Sequence, residues 1–170
     1  MMRAVIITGV LVFLNFSPAS AALKFGERAP IFTLNDMEGN SFSLSDAVGP
    51  GNKDKARGVI LSFFASWCGP CRKELPIINA LVNEYKSRGI KVVLVDVKET
   101  RNVTIELLRE LNVDRPVVLG DWDGKVNEKY GIRFLPTTYF IGSDGTIRDV
   151  IFGEIKNAYE LNTSAKKLLQ

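Results

Sequence analysis

Two nearly continuous apolar runs dominate the chain, Val59 to Ala65 and Lys91 to Val97, the pattern of strands buried on both faces of a sheet. Between them, Pro70 to Arg88 carries Leu75, Ile78, Leu81, Val82 and Tyr85 at helical spacing, and Gly89 follows as a C-terminal cap. Val103 to Leu111 predicts a second helix and Lys125 to Tyr130 a short third one. Thr137 to Ile141 and Ile147 to Phe152 read as strands joined by the turn Gly142-Ser143-Asp144-Gly145. Ala158 to Leu169 closes the chain as a helix, with Lys166 and Lys167 at the negative end of its dipole. Upstream, Thr33-Leu34 and Phe42-Ser43-Leu44 flank a polar turn and predict an opening hairpin, while Val48 to Gly58 reads as a solvated loop. The order is hairpin, then β-α-β-α, then β-β-α. It predicts an α/β fold with a central mixed sheet, helices on both faces and an N-terminal β-hairpin extension, with no repeat and no second domain.

Residues 1–21 stand apart from this pattern. They hold one charge, Arg3, then an apolar run from Ala4 to about Phe16, then Ser17-Pro18-Ala19-Ser20-Ala21. An apolar core of about 13 residues is short for a spanning helix, which needs roughly 20, and the small residues after Pro18 suit a signal peptidase. The expectation is a signal peptide over 1–21 and one domain over 22–170, an uncleaved anchor being the less favoured alternative. Export would make the protein periplasmic or extracytoplasmic and put its cysteines outside the reducing cytosol.

Composition removes several chemistries. The chain has 170 residues, 22 basic and 19 acidic side chains, two Cys and no His. Without His there is neither a Ser-His-Asp nor a Cys-His nucleophile system, and two Cys alone do not close a Cys/His zinc site, so no metal is expected. A net charge of +3 without clustering gives no nucleic-acid footprint. Asp121-Trp122-Asp123-Gly124 has Ile132 where a calcium loop needs its bidentate Glu, so it reads as a turn.

The chemistry lies in Trp67-Cys68-Gly69-Pro70-Cys71, directly after the first buried strand and at the opening of the long helix. That context places Cys68 at the helix N-terminus, where unpaired N–H groups and the dipole favour a thiolate, and Cys71 one turn inward, shielded. Pro70 loses nothing at a first-turn position, and Gly69 leaves room for a substrate chain to approach the sulfur. A purely structural cross-link over so short a loop would contribute only about 2 kcal/mol, against nearly 5 kcal/mol for a loop of about 100 residues. The pair therefore reads as a redox couple. Trp67 beside it serves either as packing or as part of a docking surface.

Trp67-Cys68-Gly69-Pro70-Cys71 resembles the active site of the thioredoxin superfamily. Pro76 matches the proline within that family's active-site helix, and Gly131-Ile132-Arg133-Phe134-Leu135-Pro136-Thr137 resembles the segment bearing its cis-proline. The resemblance implies a thioredoxin-like fold, a cis Leu135–Pro136 bond beside the sulfurs, and a Leu135 backbone that pairs with an extended substrate. The exported start, Gly26-Glu27-Arg28-Ala29-Pro30-Ile31-Phe32-Thr33-Leu34 and Leu44-Ser45-Asp46 are most similar to the TlpA/ResA-type extracytoplasmic thiol-disulfide reductases. The loop Gly49 to Arg57 is longer than that type leads one to expect.

Where cytosolic thioredoxins carry a buried Asp, this chain has Ser62. The resemblance offers Glu99, at the end of the second buried strand, as the active-site carboxylate. It would accept the Cys71 proton as that thiol resolves the mixed disulfide, with burial raising its affinity for the proton. A peroxiredoxin shares the Ala29-Pro30-x-Phe32 opening, but Ala65 stands where its Thr would precede the reactive Cys. The implied activity is reduction of protein disulfides, for instance in apocytochrome c or a copper-site protein. It would use no cofactor beyond the Cys68/Cys71 dithiol, a membrane electron donor for re-reduction, and a monomeric enzyme. A disulfide oxidase of the same fold and a peptide-binding or chaperone module with a passive disulfide are the alternatives.

Overall fold

The computed structural model describes residues 22–170; the signal-peptide expectation for residues 1–21 lies outside the described residues. Strands β1 (Thr33–Asn35) and β2 (Ser41–Ser43) pair antiparallel as the opening hairpin, with Asp36 closing the turn through the backbone N–H groups of Glu38 and Asn40. Leu44, placed in the second strand by its apolar character, instead opens the short helix α1 (Leu44–Ala47), because burying it and Ala47 on the sheet needs a helical turn. The central sheet contains β3 (Gly58–Phe64), β4 (Ile90–Val97), β5 (Val117–Asp121), β6 (Thr137–Gly142) and β7 (Ile147–Phe152) in the order β5-β4-β3-β6-β7. β3, β4 and β5 run parallel, while β6 and β7 are antiparallel to their neighbours.

Helix α2 (Gly69–Ser87) crosses from β3 to β4, and α3 (Arg101–Glu110) crosses from β4 to β5. Both extend the sheet in the same direction, so both lie on one face, where they are joined by α5 (Ala158–Ala165). Ile60, Phe64, Val92 and Leu94 meet Leu75, Ile78, Leu107 and Leu161 there. The other face carries Val59, Leu61, Phe63, Val93 and Val95 under Phe32, Leu44, Tyr130 and the helix α4 (Lys125–Lys129). The strictly alternating split of β3 and β4 between two cores explains their unbroken apolar sequence.

β5 was not legible in the sequence. Pro116 and Gly120 bracket only Val117-Val118-Leu119, too short a run to show a period, and the strand exists because it pairs with Val93–Val97. Helix α2 ends as read, with Gly89 in the left-handed region (φ 77°) that a side chain would strain. The 48–58 segment is less solvated than its composition suggests. Val48 and Ala56 are buried, residues Gly49–Gly51 form a 3₁₀ turn, and the Asn52 side chain both donates to the Ala56 carbonyl and accepts its N–H.

Candidate active site

Cys68 and Cys71 form a disulfide with the Cα atoms 5.2 Å apart. Cys68 is the N-cap residue of α2, with extended backbone, and its Sγ accepts the Cys71 N–H at 3.2 Å, one of the helix's four unpaired donors. The same donor stands ready to stabilise a Cys68 thiolate once the disulfide opens. Cys68 retains 4% exposure and Cys71 none, so an incoming partner can reach only the first sulfur. Gly69 has open space where a Cβ would stand, which leaves the approach to that sulfur clear, and Pro70 occupies the first turn of the helix.

The Leu135–Pro136 bond is cis. Pro136 leads into β6, whose Thr137 pairs with Phe152 of β7, and the Gly153 N–H donates to the Pro136 carbonyl. Three aromatic side chains at this end of the molecule face solvent: Trp67 (73% exposed), Phe134 (70%) and Phe152 (56%). Trp67 is therefore surface rather than packing. Beside Pro136, a cavity of about 350 Å³ is lined by Gly131, Ile132, Phe134, Thr137 and Phe152.

Ser62, the serine at the place of the thioredoxin acid, is fully buried in β3 and accepts a hydrogen bond from the Thr138 hydroxyl at 2.9 Å. Its own hydroxyl donates to Oε1 of Glu74 at 3.2 Å, and the Ile155 N–H donates to the other carboxylate oxygen at 2.9 Å. Glu74 is fully buried and lies three residues after Cys71 on the same inward helix face. Burial pushes its carboxyl up to about 7, against the opposing pull of the Ile155 and Ser62 hydrogen bonds. Sequence reading missed Glu74. Its signal was a charged residue within the inward stripe of α2, between Cys71 and Ile78, where a solvated Glu has no place.

Glu99 is half-buried at the end of β4, just beyond Lys98, whose left-handed backbone (φ 59°) breaks the strand alternation. Both of its oxygens are engaged by one residue: the Ser66 N–H donates to Oε2 and the Ser66 hydroxyl to Oε1, each at 2.6 Å. Glu99 thus holds the Ser66-Trp67 segment that leads into Cys68. Asp96, three residues earlier and fully buried, accepts the Thr104 hydroxyl at 2.6 Å, and burial together with nearby Glu99 raises its hold on a proton. Asp121, the first residue of the calcium-like sequence, uses its carboxylate on the Val126 and Asn127 N–H groups, capping α4. Among the described residues no cluster of three or more His, Cys, Asp or Glu is arranged to hold a metal ion.

A parallel β-α-β core extended by an antiparallel hairpin, with Cys-Gly-Pro-Cys opening the crossover helix and a cis-proline at the same end of the sheet, defines the thioredoxin-like class of redox fold. Residues 25–150 match the profile of the AhpC/TSA family, and the chain belongs to that family. Among characterised relatives it is 31% identical over 146 residues to the thiol-disulfide oxidoreductase ResA of Bacillus thuringiensis subsp. konkukian, covering 86% of this chain and 80% of that protein. It is 36% identical over 132 residues to ResA of Bacillus subtilis, covering 78% and 69% respectively. Of solved structures, a protein from Chlorobium tepidum assigned as thiol:disulfide interchange protein DsbE superposes with a TM-score of 0.75 at 29% identity, over 88% of this chain and all of the other. StoA of Bacillus subtilis, at 24% identity and a TM-score of 0.65 over 80% and 96% of the two chains, shares the fold.

Proposed function

We propose that this protein is an extracytoplasmic thiol-disulfide oxidoreductase that reduces disulfides in other proteins. The observation that carries the reading is the Cys68–Cys71 disulfide at the N-terminus of α2, with only Cys68 reachable, at the same end of the sheet as cis Leu135–Pro136 and on the helix that carries the buried Glu74. The relatives named ResA support the chemistry, and the leader-like residues 1–21 support the location. Among the described residues no helix is long and apolar enough to cross a membrane.

In the reduced enzyme, the Cys68 thiolate attacks one sulfur of the target disulfide. A Cys68–target bond forms, and the other target sulfur leaves as a thiolate that takes up a proton. Cys71 then loses its proton and attacks Cys68 Sγ, restoring the Cys68–Cys71 bond and releasing the second target thiolate. Two electrons pass to the target, and the two cysteines carry them without a further cofactor. Glu74, whose carboxyl is poised at about 7 one turn beyond Cys71, is the residue to accept the Cys71 proton. Glu99, which the family resemblance offers for that role, is half-buried beyond the end of β4 and, through its two bonds from Ser66, holds the segment before Cys68.

The target docks as an extended segment along the Leu135 backbone, with Trp67, Phe134 and Phe152 covering its apolar side chains. Closely spaced cysteines, such as the haem-attachment pair of apocytochrome c or a copper-site pair, suit this shallow surface. A membrane electron carrier returns the enzyme to the dithiol, and the enzyme acts as a monomer.

The deciding experiment is the reduction potential of the Cys68/Cys71 couple in the purified protein, together with capture of targets by Cys71→Ala. A potential near that of thioredoxin, about −270 mV, and trapped mixed disulfides on Cys68 support the reductase. A potential near about −120 mV makes the protein an oxidase. Full function of a Cys68→Ser/Cys71→Ser protein on its target makes it a passive binding module.

A further inference from the structure

Among the described residues, three other than glycine adopt a left-handed backbone, Lys55, Lys98 and Asn112, and of these Lys98 (φ 59°) directly precedes Glu99. Side chains rarely adopt that region, so the contacts around Lys98 must hold it there. Its N–H donates to the Asp121 carbonyl at 3.1 Å, and the same carbonyl accepts the Gly124 N–H at 3.0 Å. Gly124, itself left-handed at φ 72°, is the N-cap of α4, while the Asp121 carboxylate takes the Val126 and Asn127 N–H groups of that helix. The Lys98 alkyl chain lies over Gly124, where a Cβ would overlap its Cε, and the Trp122 indole fills the space that a Cβ on Gly120 would need. The turn Asp121-Trp122-Asp123-Gly124, calcium-like in sequence, is therefore a packed abutment for the residue that follows β4.

That residue decides where Glu99 goes. Phe64 of β3 is the register partner of Asp96, so the chain leaves β3 toward Ser66 at the level where it leaves β4 toward Lys98. In continued extended backbone, alternation would put Glu99 on the face of Val93, Val95 and Val97, in line with the strand. One left-handed residue breaks that alternation, and Glu99 instead accepts the Ser66 N–H and the Ser66 hydroxyl, each at 2.6 Å.

We propose that Lys98 is a positioning residue: its left-handed backbone, seated on the Asp121–Gly124 turn, aims Glu99 at Ser66 and so fixes the segment that presents Cys68. The backbone carries this role and the ammonium group does not, since Nζ lies in solvent, 3.9 Å from a Glu128 oxygen, a surface pairing of little strength. The consequence for Cys68 rests on the thiol-disulfide reading above, whereas the joint itself is a property of the fold.

The test ranks substitutions at position 98 by their tolerance of a left-handed backbone and reads the alkylation of reduced Cys68 by iodoacetamide as a function of pH. Lys98→Gly and Lys98→Asn accept that backbone and should keep the native rate within about twofold, with the native pH profile. Lys98→Val, branched at Cβ, does not accept it and should slow alkylation several-fold and displace the profile as Glu99→Ala does. Lys98→Val/Glu99→Ala should be no slower than Glu99→Ala alone, because the first change acts through the second, whereas a fold that is merely weakened would add its own loss. In the oxidised protein the NMR signal of the Ser66 amide proton should stay in place in Lys98→Gly and move in Lys98→Val. A displaced profile in Lys98→Gly, a native rate in Lys98→Val, or a double variant slower than Glu99→Ala alone overturns the proposal. If Lys98→Val does not fold, Lys98→Thr, polar and equally branched, takes its place. Neither alkylation nor the amide signal depends on turnover, so a failed joint and a failed oxidoreductase assignment are told apart by the potential and the trapping experiment.

Discussion

The Glu74 carboxylate lies 3.2 Å from the Ser62 hydroxyl, reaching from helix α2 across to strand β3. The thioredoxin resemblance reserves position 62 for a buried acid, and here the acid arrives at the same place from another element. The substitution of Ser for Asp in the strand therefore does not leave the site without a proton acceptor. Ser62 becomes a donor, held by Thr138, that orients the acid supplied by the helix.

Glu74→Gln should slow resolution of the mixed disulfide by about 100-fold, the size expected for removing a general base. The loss should be largest above the Glu74 value of about 7, where the native carboxylate is ionised and able to take a proton, so the variant's pH–rate profile should lack the native rise near neutrality. Stopped-flow release of a chromophoric thiol from a preformed Cys68 mixed disulfide measures this. An unchanged profile would remove Glu74 from the mechanism.

The same residue sets a pH dependence of stability. Its carboxyl is held at about 7 in the fold against 4.5 as the ordinary value, so the folded chain binds that proton more tightly than the unfolded one. The contribution is full below 4.5, declines as pH rises through that interval, and is lost above about 7, where the charge is buried. The change is at most about 3 kcal/mol for this group. Urea melts of the oxidised protein should show native stability falling over this range while Glu74→Gln falls less, and parallel curves would contradict the assignment.

Ser66→Ala removes one of the two bonds to Glu99 and leaves the backbone N–H. It should cost about 1–3 kcal/mol of stability and slow the attack by Cys68 several-fold, with the reduction potential little changed. Glu99→Gln should keep the fold and slow the same attack, alter the pH dependence of cysteine reactivity, and leave the rise attributed to Glu74 in place. Alkylation of reduced Cys68 under pseudo-first-order conditions separates the two.

Phe134→Ala and Phe152→Ala should raise KM for a protein disulfide while leaving kcat and the reduction of a small disulfide near native values. Each truncation removes exposed apolar area beside Pro136 that only a chain-sized partner covers, worth about 1 kcal/mol or about fivefold in KM. Equal losses on large and small substrates would show that these rings act on the sulfurs rather than on docking.

Asn79 offers a prediction far from the chemistry. Its side chain accepts the Asp114 and Arg115 N–H groups at 3.2 and 3.0 Å and donates to the Asn112 carbonyl at 3.0 Å, fastening the α3–β5 turn to α2. Asn79→Leu should destabilise by about 2–3 kcal/mol, because those backbone groups lose their partners in a part-buried site. Thermal or urea denaturation measures it.

The features legible along the chain are those written locally. The apolar runs of β3 and β4, the stripe of α2, the β6–β7 turn and the Cys-Gly-Pro-Cys at a strand-to-helix boundary each lie within one segment, where period and turn chemistry can be read directly. The rest depends on contacts between segments far apart in the chain. β5 is a strand because β4 pairs with it, and Leu44 is helical because its burial on the sheet outweighs local preference. The carboxylates are the sharpest case. Glu74, Asp96 and Glu99 look like ordinary acidic residues along the chain, and whether each takes up a proton, receives a buried hydroxyl or clamps a loop depends on burial and on partners such as Ser62, Thr104 and Ser66. Two of these, Ser62 and Ser66, come from elements distant in sequence. The affinity of a carboxyl for its proton is set by desolvation and neighbouring charge, and both exist only after the chain has packed.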